Sequence, residues 1–513
     1  MIKYTIIFLI LHLTVSYAVD KPHIILINID DLGWTDLSYQ GSEYYESPNI
    51  DALAKSGMIF DQGYAAAANC APSRASLISG EQSPRTGVYT VGNPARGTSH
   101  QRKLIPSPNT VFVDADNYTI ADAMNSAGYL TATLGKYHVA KDPLVHGWDI
   151  NVGGREFGGP RNGGYHSPYE YPNLVAKEEG RYLCDHLTDE AIAIFKEHAS
   201  KQPVFMYFPY YTIHTPIQGH KEFEPKYEAK AKTKRHFSPK YAAMIEALDK
   251  NIGRLVATLE EQGIREKTLI MFTSDNGGHM KYSRQEPLRA GKGSYYEGGI
   301  RVPFFATWPG VIKAGSRSEV PVTGLDFYPS VCELAGVKLP ANKIMDGDSF
   351  VPLLKGEANE KLNERAIYWH FPIYLQAYIK PHQNPMSRDP LFRTRPGTVI
   401  RHGKWKLHHY FEDDGVELYD INSDRSEKND LSKEYPELVS KLRAKLDTWR
   451  QDIGAFVPTE LNPDFGKKVS DSQLPQNCKE GLAAFAYSED ILRTGKFDQY
   501  ASMLTEESKR KYD

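Results

Sequence analysis

The chain has 513 residues, of which 41% are hydrophobic and 24% are charged, so it can bury a large core and is not a disordered chain. Its 61 basic and 64 acidic residues give a net charge of −3, which provides no electrostatic basis for binding nucleic acid. An anionic ligand must therefore meet a local cluster of basic residues. The length predicts two or three units, or one large α/β domain with a smaller appendage.

The first 18 residues have the features of a secretory signal peptide. Lys3 precedes an apolar run over 6–13, and Ser16 and Ala18 form a small-x-small cleavage site. The run is short for a bilayer span, although a membrane anchor stays an alternative. We expect residues 1–18 to be removed and the mature chain, without a transmembrane segment, to be exported to the periplasm or out of the cell.

The chain has four cysteines, Cys70, Cys184, Cys332 and Cys478. In an exported protein of this size, four cysteines do not make a disulfide framework. One bridge among the last three stays open, because spacing alone does not give the connectivity.

An apolar run over 23–29 ends in two carboxylates, Asp30 and Asp31. Its unbroken hydrophobicity predicts a strand that is buried on both faces of a parallel sheet. The carboxylates would then lie at the carboxyl end of the strand, where open α/β sheets bind their ligands. Because adjacent carboxylates repel each other, we expect a cation or a basic group between them.

Cys70 lies at the start of a predicted helix. Pro72 fits the first turn of that helix, and Arg74 and Leu77 can continue it. The unpaired backbone N–H groups of a helix N-terminus favour an anion. Cys70 is therefore placed to meet a negatively charged group.

The next polar residues at a predicted strand end are Lys136 and His138. Thr119 is predicted to cap a helix that ends at Gly128, and a β-rich run over 129–134 follows. On an extended segment, side chains two residues apart project to the same side. Taken alone, this pair also fits a surface lysine and a histidine that is satisfied in the core.

Two further segments carry candidate site residues. A strand-like run over 203–208 leads to His214, and Lys292 lies between two glycines, which indicates a close approach of the backbone to a bound group. The Lys/Glu-rich segment 221–236 is predicted to be a surface loop. A long amphipathic helix is predicted over 238–263.

A second buried strand is predicted over 268–274, and it ends in Asp275 and Asn276. Together with Asp30 and Asp31, these side chains offer only oxygen ligands. Such a set suits a hard cation such as Ca²⁺ rather than zinc, which prefers histidine or cysteine.

The alternation of buried strands and helices from residue 20 to about 350 predicts a doubly wound α/β fold with a large, mostly parallel sheet. We expect this catalytic domain to span 20–395. Short meander strands begin near Thr398, and an amphipathic helix follows over 436–454. They predict a smaller C-terminal α+β subdomain over 396–513, which ends in an irregular tail.

The Cys-x-Pro-Ser-Arg sequence from Cys70 to Arg74, followed by the strand-end residues in this order, resembles the type I sulfatase family of the alkaline phosphatase-like superfamily. The resemblance covers residues 22 to about 454. It implies that a formylglycine-generating enzyme or an equivalent maturase converts Cys70 to formylglycine. It also implies one bound Ca²⁺, with the ligands Asp30, Asp31, Asp275, Asn276 and the oxygen of modified Cys70.

The resemblance implies a role for each remaining residue. Arg74 and the metal would lower the energy of the ionised hydroxyl of the aldehyde hydrate, which attacks sulfur. Lys136 and Lys292 would hold the sulfonate oxygens. His214 would protonate the leaving oxygen, and His138 would take the proton whose loss expels sulfate and restores the aldehyde.

Two positions test the resemblance. Related phosphatases with two zinc ions tend to have Asp-His where this chain has Asp275-Asn276, so the asparagine favours one hard metal and sulfate ester chemistry. The family signature continues as Leu-x-Thr-Gly-Arg, whereas this chain has Ser79 and Glu81, and Glu81 reverses the usual charge. Because the Cys-x-Pro-Ser-Arg core is intact, we expect Cys70 to be modified.

The substrate is predicted less directly. The 32 Tyr and 6 Trp residues suit stacking on sugar rings, although core packing explains them equally well. Basic loop residues over 96–102 and 161–166, with His370 and Arg393, are candidates for a subsite that binds anionic sugars. We expect a bacterial enzyme that acts on sulfated polysaccharides of algal or host origin, with a generic arylsulfatase as the weaker option.

Two other classes of function stay open at this point. One is a phosphodiesterase or phosphonate hydrolase of the same superfamily. The other is a non-catalytic, calcium-dependent glycan-binding protein, which would require Cys70 to remain a thiol.

Overall fold

The computed structural model describes residues 21–161, 164–377, 388 and 391–467, so the expected signal peptide and Cys478 lie outside the described residues. The strands are β1 (His23–Ile29), β2 (Met58–Phe60), β3 (Gly63–Tyr64), β4 (Leu130–Leu134), β5 (Ile150–Val152), β6 (Tyr169–Tyr171), β7 (Leu174–Ala176), β8 (Val204–Pro209), β9 (Thr268–Ser274), β10 (Phe305–Thr307), β11 (Ser316–Ser318), β12 (Val322–Thr323), β13 (Ala366–Phe371), β14 (Leu375–Gln376), β15 (Phe392–Thr394), β16 (Gly397–His402), β17 (Trp405–Tyr410) and β18 (Val416–Asp420). The helices are α1 (Pro48–Lys55), α2 (Cys70–Ser79), α3 (Ser83–Thr86), α4 (Ile120–Ser126), α5 (Leu183–His198), α6 (Glu224–Ala229), α7 (Pro239–Glu261), α8 (Glu297–Ile300), α9 (Phe327–Ala335), α10 (Val351–Leu354), α11 (Glu360–Glu364) and α12 (Pro436–Asp452).

The main sheet has eight strands in the order β11-β2-β10-β9-β1-β8-β4-β5. Strands β9, β1, β8, β4 and β5 are parallel to one another, and β10 runs antiparallel to both of its neighbours. Strand β1 is central and all seven of its residues are buried, which explains its unbroken hydrophobicity. The predicted doubly wound, mostly parallel α/β fold is confirmed.

Helices cover both faces of the main sheet. Along β1, Ile25 and Ile27 belong to a hydrophobic cluster that also contains residues of α1, α5 and α7. The alternate residues Ile24 and Leu26 belong to a second cluster with residues of α2, α4 and α9. Because successive side chains of a strand point to opposite faces, one apolar strand serves two helical layers.

The segment 221–236 corrects one sequence-based prediction. Instead of a surface loop, it contains helix α6, whose Tyr227 is buried. The hydroxyl of Tyr44 donates to the carbonyl of Tyr227 at 2.6 Å, and the ring of His236 is buried 3.5 Å from a carboxylate oxygen of Asp36. The many charged residues of the segment indicated an exposed loop, although Tyr227 and His236 are buried.

The C-terminal part contains an antiparallel sheet in the order β13-β16-β17-β18. Leu442 and Leu446 of α12 pack against Ile400, Leu407 and Leu418 of this sheet. Strand β13 precedes the expected boundary between residues 395 and 396, so the sheet begins earlier than that boundary. The division into domains itself stays a prediction.

A buried network of charges, which we call the junction network, links this sheet to the main domain. The ammonium group of Lys406 on β17 lies 2.9 Å from carboxylate oxygens of both Glu297 and Glu427. Arg301 of the main domain also pairs with Glu297, at 3.3 Å.

Among the described residues, Cys70, Cys184 and Cys332 are free and buried. Cys184 and Cys332 lie in the hydrophobic clusters on opposite faces of the main sheet, so they do not pair with each other. No helix in the described part of the chain is long and apolar enough to cross a bilayer.

Candidate active site

The carboxyl ends of four adjacent strands, β9, β1, β8 and β4, converge at one edge of the main sheet. The amide of Asp31 donates to Oδ1 of Asp275 at 3.2 Å, which joins the ends of β1 and β9. We call the polar residues at this edge, with the cations that reach them, the strand-end cluster. Its members are Asp30, Asp31, Arg74, Lys136, His138, His214, Asp275, Asn276 and Lys292.

Each carboxylate of the strand-end cluster is paired with one cation, and the six side chains are almost completely buried. Three carboxylates therefore face three cations. The pairs are Asp30 with Lys136 at 2.6 Å, Asp31 with Lys292 at 2.6 Å, and Asp275 with Arg74 at 2.8 Å.

Burial disfavours the ionised form of Asp30 and Asp31. It raises the pKa of Asp30, and Lys136 only partly offsets that shift. For Asp31 burial acts in the same direction, but Lys292 and His214 outweigh it and hold the pKa of Asp31 well below its usual range. The two adjacent carboxylates thus differ in how fully the protein compensates their charge.

Two oxygen atoms of the cluster are buried without a hydrogen-bond partner, Oδ1 of Asp30 and Oδ1 of Asn276. The Asn276 amide is oriented by its Nδ2, which donates to Oδ1 of Asp31 at 2.8 Å. Buried polar atoms usually have partners, so the two oxygens indicate a ligand that they would bind. Oxygen donors from carboxylates and an amide fit a hard cation such as Ca²⁺.

Cys70 is the first residue of helix α2, as predicted, and is 2% exposed. The side chain of Asn69 caps the helix by accepting from the Cys70 amide at 3.2 Å. Arg74 lies one turn further along the helix and reaches Asp275. The amide of Gly293 donates to the carbonyl of Ala68 at 2.7 Å, so the Lys292 loop lies against the residues just before Cys70.

The two histidines of the cluster have strongly shifted pKa values. Burial and Lys136 lower the pKa of His138 well below its usual range. Burial and Lys292 do the same for His214. Nδ1 of His214 lies 2.7 Å from the carbonyl of Thr215, which leaves Nε2 directed at Asp31, 3.9 Å from a carboxylate oxygen.

The backbone that carries Lys136 and His138 corrects another prediction. His138 has a φ of 76° and is therefore not on an extended segment. The left-handed conformation is uncommon for a residue with a side chain. Asp31 shares it, with a φ of 65°, so the chain bends sharply at two positions where it delivers a side chain to the cluster.

His279 is a neighbour of the cluster that the sequence patterns did not predict. It interacts electrostatically with Asp31 and Lys292, and burial lowers its pKa to about 3. It follows Asn276 by three residues in the same strand-end loop, which is the signal that would have identified it.

The candidate residues for binding anionic sugars differ in what their side chains contact. Arg96 and Arg102 donate to backbone carbonyls of their own loop, and a ring nitrogen of His166 lies 3.1 Å from the carbonyl of Gly219. His370 is buried in the C-terminal sheet, where its nitrogens lie 2.8 Å from Thr398 and from the Phe456 carbonyl. These side chains are engaged in holding the protein backbone or the core.

Arg393 instead supports the strand-end cluster. Its Nη1 donates to the carbonyl of Lys292, and its Nε donates to the carbonyl of Gln376, both at 3.0 Å. The neighbouring hydroxyl of Thr394 donates to the carbonyl of Gly293 at 2.6 Å. Strand β15 therefore holds the loop that carries Lys292.

Glu81, the position at which the sulfatase signature changes charge, has a local partner. Its carboxylate lies 2.7 Å from the ammonium group of Lys343 and accepts from Asn117 at 3.1 Å. The reversed charge is thus compensated at its own site.

Comparison with known proteins gives a consistent result. Residues 22–337 match the family described as Sulfatase, and residues 291–452 match "N-sulphoglucosamine sulphohydrolase, C-terminal". A "Sulfatase" of Formosa agariphila is 34% identical over 508 residues, which cover 84% of this chain and 89% of that protein. The N-acetylgalactosamine-6-sulfatase of Mus musculus is 29% identical over 393 residues, or 70% of this chain and 71% of that protein. The crystal structure of Ps i-CgsB in complex with k-i-k-neocarrahexaose has 28% identity and a TM-score of 0.70, and the match covers 95% of this chain and 100% of that chain.

Proposed function

Because the chain belongs to the sulfatase family and is a sulfuric ester hydrolase, we propose that it is an exported enzyme that removes sulfate from sulfated polysaccharides or oligosaccharides. Formylglycine at position 70 and one Ca²⁺ would complete its active site. The observation that carries the proposal is the strand-end cluster, in which two unpartnered oxygens lie among buried cations, one of which is Arg74 of the Cys70 helix.

The metal would be held by Asp30, Asp31, Asp275, Asn276 and the oxygen of modified Cys70. When bound, it would supply positive charge that favours an ionised hydroxyl and stabilises negative charge on the sulfonate oxygens. The unpartnered oxygens of Asp30 and Asn276 support this assignment. Formylglycine would supply, as its hydrate, a hydroxyl nucleophile and a second hydroxyl that loses a proton as sulfate leaves.

The side chains of the cluster then have distinct tasks. Lys136 and Lys292 bind the sulfonate oxygens and offset the charge that grows on them in the transition state. Arg74 orients Asp275 and adds positive charge one helical turn from the nucleophile. His214, on the more exposed side, gives a proton to the departing alcohol, and His138 accepts a proton from the residue at position 70.

The names of relatives support a carbohydrate substrate. The mammalian relatives with the higher identity are N-acetylgalactosamine-6-sulfatases, whereas steryl-sulfatases match at 25–27% identity, and Ps i-CgsB was crystallised with a neocarrahexaose. A sulfated galactan or a sulfated glycosaminoglycan is therefore the substrate class that we propose. Export is supported by the sequence of residues 1–18.

The test is a screen of desalted sulfated oligosaccharides for released sulfate, with Cys70→Ser as the inactive control. Carrageenan and chondroitin sulfate oligosaccharides belong in the first panel because of the relatives above. We expect calcium-dependent release of sulfate from at least one of them. A clear preference for a phosphate diester or a phosphonate ester over every sulfate ester would overturn the proposal in favour of the superfamily's phosphorus chemistry.

A further inference from the structure

A short segment over 155–161, which we call the entrance segment, lies against both histidines of the strand-end cluster. The amide of His138 donates to the carbonyl of Arg155 at 2.8 Å. A Cβ atom on Gly158 would lie 3.0 Å from the His138 ring, and one on Gly159 would lie 2.8 Å from Nδ1 of His214. Two glycines in succession thus let the backbone of the segment pass directly over the two rings.

The cluster opens to solvent on the side of this segment. The side chains of Asp30 and Lys136 are 0% exposed, whereas that of Lys292 is 9% exposed and that of His214 is 18% exposed. A substrate therefore enters past His214, where the entrance segment runs. Its leaving group would remain next to the residues of that segment.

The entrance segment presents two guanidinium groups around one aromatic ring. The guanidinium carbon of Arg155 lies 5.0 Å from the ring centroid of Phe157, and that of Arg161 lies 4.8 Å from it. Arg155 is 43% exposed and pairs with Glu156 at 3.4 Å. Within the described part of the chain, Arg161 forms no ion pair. The three charged side chains therefore carry a net charge of +1.

Packing alone gives little reason for this arrangement. Phe157 is half-buried and the Arg155 side chain is 43% exposed, and a cation on an aromatic ring at an exposed site contributes only about 0.5–1 kcal/mol. Two guanidinium groups on the same ring also repel each other. An anion beside them would remove that repulsion. Guanidinium groups are also the side chains best suited to bind the oxygens of a sulfate ester or a carboxylate, because their N–H groups donate in pairs.

We propose that Arg155, Phe157 and Arg161 form a subsite for a second anionic group of the substrate, carried by a sugar next to the sulfate ester that is hydrolysed. Phe157 holds the two guanidinium groups in place, and both contact the anion. The inference rests on the proposed function and narrows it, since the preferred substrate then carries at least two anionic groups.

The test compares substrates with one and with several anionic groups. Steady-state kinetics are measured with 4-nitrophenyl sulfate, with neocarrahexaose and with a chondroitin-6-sulfate hexasaccharide, for the unsubstituted chain, Arg155→Met, Arg161→Met and the double variant. The ratio of kcat/KM for a hexasaccharide to kcat/KM for the aryl ester should fall roughly fivefold for each single variant. Neocarrahexaose carries sulfate esters alone, and the chondroitin hexasaccharide also carries carboxylates. Comparing the ratios for these two substrates therefore shows whether the arginines bind a sulfate ester or a carboxylate.

Arg181→Met is the matched control. Arg181 is also 43% exposed and also pairs with a carboxylate, that of Asp189 at 2.8 Å, so its loss should leave the ratio unchanged. Added salt should lower the hexasaccharide ratio of the unsubstituted chain more steeply than that of the double variant. An unchanged ratio in both arginine variants would overturn the subsite.

Two other outcomes separate this inference from the proposed function. If the unsubstituted chain hydrolyses 4-nitrophenyl sulfate but neither binds nor hydrolyses the hexasaccharides, the subsite is overturned and the sulfatase activity stands. If the chain with formylglycine at position 70 releases sulfate from no ester, the proposed function is overturned and the subsite is overturned with it.

Discussion

The strand-end cluster and the junction network are both buried groups of charged side chains, yet they differ in how their oxygens are used. In the junction network, Glu297 accepts from Tyr64, Arg301 and Lys406, and Glu427 accepts from Lys406 and from the Glu297 amide. In the strand-end cluster, Oδ1 of Asp30 and Oδ1 of Asn276 have no partner.

This difference separates a structural group of charges from one that can bind a ligand. A closed network holds two elements together, because every oxygen that loses water gains a donor. A cluster with unpartnered oxygens is costly unless a ligand completes it. We therefore expect substitutions in the junction network to change stability, and substitutions in or beside the strand-end cluster to change activity.

The largest expected effect sharpens this contrast with two buried cysteines. Cys70→Ala should lower kcat/KM for a sulfate ester by on the order of a thousandfold or more, because it removes the precursor of the nucleophile. Cys332→Ala is the matched control, since Cys332 is also buried but lies in a hydrophobic cluster. It should lower the melting temperature and retain the activity. Equal losses of activity in both variants would contradict the assignment.

Substitutions in the junction network should lower stability rather than activity. Lys406→Met leaves Glu297 and Glu427 without their shared cation, and should lower the free energy of unfolding by about 3–5 kcal/mol. Lys404→Met, two residues away, removes a partly exposed pair with Asp420 and should cost at most about 1 kcal/mol. Urea unfolding of the two variants measures the difference. If both variants lost a similar free energy of unfolding, the junction network would not be what joins the C-terminal sheet to the main domain.

Arg393 lies beside the strand-end cluster, where it holds the backbone of Lys292, and its substitution should separate the positioning of Lys292 from direct contact with substrate. Arg393→Lys cannot donate to the carbonyls of Lys292 and Gln376 at the same time, so Lys292 should lose its fixed position. We expect a roughly tenfold lower kcat with a smaller change in KM. Arg365→Lys, which loses an equivalent fork to Asp326, should lower stability with kcat retained. If Arg393→Lys instead raised KM and left kcat unchanged, that result would indicate that Arg393 contacts the substrate directly.

The last expected effect is a pH dependence in the C-terminal sheet. Burial lowers the pKa of His370 from 6.5 to about 3, so between these values the unfolded chain binds a proton that the folded chain does not. Stability conferred by neutral His370 is therefore present above pH 6.5 and is lost as the pH falls, by about 1.4 kcal/mol per unit. His370→Gln should make the slope of unfolding free energy between pH 6 and 4 shallower by that amount. The prediction would be contradicted if the unfolding free energies of His370→Gln and of the unsubstituted chain changed with pH at the same slope.

The sequence predicted best what depends on strand ends. Asp30, Asp31, Asp275 and Asn276 follow long apolar runs, and parallel strands bring their carboxyl ends to one edge, so their proximity follows from the fold class. Cys70 was predicted at a helix start because Pro72 favours the first turn. These inferences needed only local patterns and one topological rule.

What the sequence did not predict depends on contacts between distant segments. The polar segment 221–236 forms α6 because Tyr227 meets Tyr44, a contact that no local pattern contains. The positions of Arg393 behind Lys292 and of Gly158 against His138 likewise arise only when loops from different parts of the chain pack together.

The central claim is that the residue at position 70 is an aldehyde that performs sulfate ester hydrolysis. The most direct test is mass spectrometry of the peptide that contains residues 69–74, made on the same samples whose rate of sulfate release is measured. We predict formylglycine at position 70, with a specific activity proportional to its fraction across samples. A thiol at position 70 in every molecule of a sample with full sulfatase activity would contradict the claim.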